Sequence, residues 1–180
     1  MTLALRLAFF ATCGLAGLPA QWARAATPRA RASAVGANAF ASVDLDRSAE
    51  WLVRVDLERE FALWRGFTMG AKAMPLFLWR NPDGRWVPCL AFGVTTRWYW
   101  DAADHAGPFI GWSSATVWSA RPFVGNASRL NLLSNLAIGW QAPANAWHAA
   151  VQLEHLSNAE TAHPNHGANA VGIAVGWAFW

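Results

Sequence analysis

From Val35 to the C-terminus the chain breaks into short stretches in which bulky apolar side chains recur at every second position. That spacing turns one face of a β-strand toward a single environment. The cleanest stretch places Trp86, Pro88, Leu90, Phe92, Val94, Thr96, Trp98 and Trp100 on one side, against Val87, Cys89, Ala91, Gly93, Thr95, Arg97 and Tyr99 on the other. Seven more stretches read as strands: Val35 to Val43, Glu50 to Glu58, Thr68 to Trp79, Pro108 to Trp118, Arg129 to Gln141, Trp147 to Asn158 and Gly167 to Trp180. Thr68 to Trp79 is the irregular one, because it carries Lys72 and Pro75. Turn-forming residues separate the stretches, most clearly Asn81-Pro82-Asp83-Gly84. Asn126-Ala127-Ser128 reads as the start of a strand rather than a glycosylation site. Eight strands in sequence, joined by short connections and with no helix among them, predict an all-β fold: an eight-stranded antiparallel barrel.

Alternation alone does not say which face points inward, since a soluble lipid-binding barrel also has one bulky apolar face turned toward its ligand. The opposite face decides. It holds Ala and Gly with Arg54, Asp56, Glu58, Lys72, Arg97, Arg129 and Glu154, too few polar groups to make a solvated coat but suited to a narrow lumen where ions pair. The bulky residues therefore face lipid, and the barrel is expected to be transmembrane. Composition agrees: charged residues are 14% of the chain, against about 25% in ordinary soluble domains. The chain has 13 Trp and one Tyr, and Trp51, Trp86, Trp100, Trp112, Trp118, Trp140, Trp147 and Trp177 lie near predicted strand ends. Aromatic girdles occupy that level in membrane barrels.

The N-terminal segment is read separately. Arg6 precedes an apolar run, Leu7 to Ala20, and Ala23-Arg24-Ala25 supplies the small residues that a signal peptidase reads. Residues 1–25 are thus expected to be a signal peptide cleaved after Ala25, and 26–180 the barrel domain. Removing Cys13 with it leaves Cys89 alone, so no disulfide forms within the mature chain. No basic stripe or recognition motif points to nucleic acid.

Candidate chemistry lies in the last predicted hairpin. His155 and Ser157 share the apolar face of the seventh strand, and Asn169 begins the same face of the eighth. A base, a hydroxyl and an amide gathered at one end of a greasy wall suggest a hydrolase of lipid esters. His163 and His166 have no third ligand at a suitable spacing, so no metal is expected.

The ordered residues His155-Leu156-Ser157-Asn158 and Pro164-Asn165-His166-Gly167 resemble the signature of the lipid A 3-O-deacylase (PagL) family of outer-membrane enzymes, a His-x-Ser-Asn followed by Pro-Asn-x-Gly. The close match covers about 25 terminal residues; upstream the likeness is one of architecture. The resemblance implies an outer-membrane esterase that removes the 3-O-linked hydroxyacyl chain from lipid A of lipopolysaccharide without a cofactor. Carried over, Ser157 is the nucleophile, His155 its general base and Asn165 the oxyanion donor. Two positions depart from the family pattern. Asn169 stands where a glutamate is expected, and an amide orients an imidazole without stabilising its positive charge. Glu160 occupies a position that is glycine in the family, and at five residues from His155 it is a candidate supplementary carboxylate. Two alternatives remain, a non-catalytic structural or adhesive outer-membrane barrel and a soluble lipid-binding barrel. The oligomeric state, a homodimer included, is left open.

Overall fold

Eight antiparallel strands make up the computed structural model, which describes residues 34–45, 50–103, 105–143 and 147–179, with backbone alone for 34–44, 178 and 179. The expected signal segment, its cleavage site and Trp180 lie outside the described residues. The strands are β1 (Ala34–Asp44), β2 (Trp51–Trp64), β3 (Phe67–Arg80), β4 (Trp86–Asp101), β5 (Ala106–Ser119), β6 (Leu130–Gln141), β7 (Trp147–Ser157) and β8 (Ala168–Phe179). Each pairs with its neighbours in sequence, and β1 pairs with β8 to close the barrel. The strands have 11 to 16 residues, enough to cross a bilayer at the tilt of a small barrel, which takes about 9–11.

The two faces are unlike, as the alternation predicts. Outward positions carry Val53, Leu57, Leu90, Phe92, Leu136, Ile138, Val151, Ile173 and Val175, all exposed. Exposed Trp side chains ring both ends: Trp51, Trp86 and Trp118 at one, Trp64, Trp98, Trp100, Trp140, Trp147 and Trp177 at the other. Trp112 departs from the expected girdle, because β5 extends to Ala106 and leaves this residue in mid-strand.

The lumen holds ions in its middle and an apolar plug at one end. Arg54, fully buried, binds Asp56 (2.8 Å), Glu154 and Gln152 (3.0 Å). Lys72 lies 3.0 Å from both Asp56 and Glu58, and Arg97 pairs with Glu58 and Glu60. Buried charges persist only when paired in this way. Arg129, expected inside, is exposed instead, because β6 begins one residue later at Leu130.

The plug contains Leu52, Met74, Phe77, Trp79, Val87, Phe123, Leu133 and Leu156. It depends on a β-bulge in β3, where the register with β4 shifts between Met74 and Phe77. Pro75 and Leu76 both point outward there, so Met74 faces in before the bulge and Phe77 and Trp79 face in after it. Proline has no N–H to give a ladder, and a bulge is where a strand tolerates it.

Connections differ at the two ends. The plugged end has the longer ones, 120–129 between β5 and β6 and 158–167 between β7 and β8, while the other end has 65–66 and 102–105. In bacterial outer-membrane barrels the long loops are extracellular and the short turns periplasmic.

Candidate active site

Strand register puts the candidate residues side by side on the outside of the barrel. His155 of β7 is directly paired with Asn169 of β8, and His155 Nδ1 lies 2.8 Å from Asn169 Oδ1. Ser157, two residues along β7, faces outward with His155 and sits across from Leu132 of β6. Both His155 and Ser157 are half-buried and Asn169 is exposed. The hydrogen bond of His155 is to Asn169; among the described residues none joins it to Ser157. A nucleophile–base contact of this kind is commonly loose without substrate and tightens around it.

Beside the pair runs a groove of about 460 Å³ on the outer wall, lined by Leu45, Trp112, Leu136 and Leu153 with Ser134, His155 and Asn169. Ser134 is the direct β6 partner of His155, and Ser114 of β5 is the partner of Ser134. The groove is thus apolar along most of its length, with polar groups at the His155 level. An acyl chain fits such a surface, and a polar linkage fits its end.

The loop from β7 to β8 is held by its own asparagines. Asn158 leaves the ladder and turns inward, and its carbonyl accepts from the Thr161 N–H (3.1 Å) and hydroxyl (2.7 Å). The chain then passes through Ala159 and Glu160 at φ 53° and 64°, a left-handed conformation that costs an L-residue about 1–2 kcal/mol. Glu160 is exposed there, and among the described residues no hydrogen bond or ion pair links it to His155. Asn165 returns toward the strand end, where its Oδ1 accepts from the Asn158 N–H at 3.1 Å. Its amide oxygen being so engaged, the NH2 group is the end left to donate. Gly167 then enters β8 at φ +65°; a Cβ there would lie 3.2 Å from His155 Cε1.

A second loop reaches over this one. Asn126, between β5 and β6, bridges Asn165 through the backbone, and its side chain accepts from Asn158 Nδ2 at 3.0 Å. Asn126 and Ser134 are site residues that the sequence does not single out, since each depends on pairing between distant segments. A recurrence of asparagine at 126, 131, 158 and 165 was the one available sign.

A model of the lipid A 3-O-deacylase (PagL) family matches residues 35–178. The fold is similar to the crystal structure of the outer membrane enzyme PagL, with a TM-score of 0.66 and 21% identity over 79% of this chain and 98% of that one. It is also similar to the N-terminal β-barrel domain of Pseudomonas aeruginosa OprF, with a TM-score of 0.52 and 12% identity over 82% of this chain and 98% of that domain. At these identities the likeness is one of fold. No protein of curated function matches the sequence significantly. The family match spans nearly the whole barrel, from β1 to the end of β8: the chain is an outer-membrane β-barrel and belongs to the lipid A 3-O-deacylase (PagL) family.

Proposed function

We propose that the protein hydrolyses the 3-O-linked hydroxyacyl ester of lipid A, with Ser157 as nucleophile and His155 as general base. The observation that carries this reading is the His155–Asn169 contact on the lipid-facing wall, with Ser157 on the same face and a groove alongside. With Asn169 Oδ1 as acceptor, Nδ1 of His155 holds its proton and Nε2 keeps a lone pair. Nε2 then takes the Ser157 proton as Oγ attacks the acyl carbonyl, and gives it to the departing sugar oxygen. Water, activated by the same imidazole, releases the hydroxy fatty acid from the acyl-enzyme. Asn165 donates its amide hydrogen to the oxyanion in both steps, a role supported by the engagement of its oxygen elsewhere. Asn169 fixes the tautomer but adds no charge, so the imidazolium formed during attack is less stabilised than beside a carboxylate.

Mass spectrometry of lipid A from cells expressing the wild type or Ser157→Ala tests the reading. Loss of one hydroxyacyl chain with the wild type alone is expected. Identical lipid A from both would leave a non-catalytic barrel.

A further inference from the structure

The β7–β8 loop is held by its own asparagines and also by the β5–β6 loop, which reaches it through Asn126. Asn126 is 6% exposed, and its amide is used at both ends. Nδ2 donates to Asn131 Oδ1 at 2.6 Å, while Oδ1 accepts from Asn158 Nδ2 at 3.0 Å and from the Ser128 N–H at 3.1 Å. On either side of it the two loops are joined by backbone. Ala127 N–H donates to Pro164 O (2.9 Å), and His166 N–H donates to Gly125 O (3.0 Å), bracketing Asn165. Asn165 is therefore located by two contacts of different origin, a backbone bridge to Asn126 and the hydrogen bond that its Oδ1 accepts from the Asn158 N–H. The Asn158 side chain is in turn held between Asn126 Oδ1 (3.0 Å) and Ala162 O (2.8 Å), to both of which its Nδ2 donates.

The structure assigns Asn126 as a positioning residue for the proposed oxyanion donor: through Asn158 and the loop-to-loop bridge it sets where the Asn165 amide points. The assignment rests on the proposed reaction for its catalytic consequence, but not for the tether itself. Asn126 touches neither the nucleophile nor the base, so its loss should leave lipid binding intact and slow the acyl-transfer step. A misplacement near 1 Å at a reacting centre costs up to about 100-fold in rate. The same buried amide also excludes simple replacement: an apolar side chain of similar size would leave Asn158 Nδ2 with one acceptor fewer and Asn131 Oδ1 without this donor.

The test compares Asn126→Ala, Asn165→Ala and the double variant in detergent-solubilised full chain, with heat-modifiable gel migration reporting the folded barrel. Expected are kcat reduced roughly 10- to 100-fold in Asn126→Ala with KM within about twofold, and a double variant no slower than Asn165→Ala. Multiplying defects, or a change confined to KM, would overturn the assignment. Asn131→Ala removes the acceptor of Asn126 Nδ2 together with Asn131's own bond to Ser128 O, leaves the Asn126–Asn158 contact in place, and serves where Asn126→Ala does not fold; a smaller loss of the same kind is expected. Amide hydrogen exchange supplies a readout free of activity. Faster exchange at Asn158, Thr161 and His166, with the β7 amides unchanged, supports the tether even in a chain that hydrolyses no lipid A. Wild-type protection at those three amides in Asn126→Ala refutes it.

Discussion

His155 and Asn169 occupy directly paired positions of β7 and β8, and the imidazole Nδ1 stands 2.8 Å from the amide oxygen. The pairing is set by strand register rather than by the loop, so the contact is held by the β7–β8 ladder. Asn169→Ala is expected to lower kcat about 10- to 100-fold, because the imidazole loses the acceptor that selects its tautomer. Asn169→Asp restores a charge beside the imidazolium and should equal or exceed the wild type. Steady-state hydrolysis of a lipid A ester in mixed micelles reads both; an Ala variant at wild-type rate would remove Asn169 from the mechanism.

Gly167 lies against the same imidazole. Its φ of +65° and the 3.2 Å separation between an added Cβ and His155 Cε1 leave an alanine both strained and crowding the ring. Gly167→Ala should cost roughly tenfold in kcat with a folded barrel if His155 is the base as proposed, since its displacement is felt in the chemical step. A rate equal to wild type would mean that the imidazole shifts aside freely.

Glu160 sits in the left-handed region at φ 64° and is exposed without a contact to His155. Glu160→Gly relieves the backbone strain, partly offset by the freedom glycine gains in the unfolded chain, for a net gain of at most about 1 kcal/mol. Hydrolysis should be unchanged in this variant and in Glu160→Gln. Urea titration of the refolded barrel measures the first, and a fall in activity in both variants would give Glu160 the supplementary role that its sequence position suggested.

Inside the lumen, Arg54 answers Asp56 and Glu154 at once. Arg54→Met would leave Glu154 without its cation and Asp56 with Lys72 alone, and should destabilise the barrel by about 3–5 kcal/mol. Refolding in lipid vesicles with a urea titration gives the number; a loss below about 1 kcal/mol would mean that water or Asn135, already bound to Glu154, satisfies that carboxylate.

On the outer wall, Ile173 is 62% exposed in the middle of β8. Ile173→Arg should cost about 2–4 kcal/mol in a bilayer, the depth-dependent penalty for a cation facing hydrocarbon. The same substitution on a water-facing wall would be nearly neutral, so one unfolding curve distinguishes the two surroundings.

Much of this architecture was legible because the two-residue rhythm survives along most strands. β4 and β7 can be drawn from the sequence with their faces correctly turned, and so the placement of His155 and Ser157 on the lipid side was accessible too. What stayed hidden has a common cause. Pro75 marks β3 as irregular, yet nothing local tells that both Pro75 and Leu76 turn outward and so send Phe77 and Trp79 into the plug. The exposure of Arg129 depends on where β6 begins, a matter of one residue. Asn126 reads as an ordinary loop amide until chain closure brings it over Asn158, 32 residues further on. Periodicity encodes direction, whereas these features depend on meetings between distant segments.

The packed Phe77, Trp79, Phe123 and Leu156 stopper one mouth of the barrel. A stoppered barrel is no conduit: voltage-clamped planar membranes containing it should stay electrically silent. With Ser157 on the outer wall, the proposed glycolipid substrate would arrive sideways, diffusing within its own monolayer, and encounters would scale with surface density in two dimensions rather than with bulk concentration.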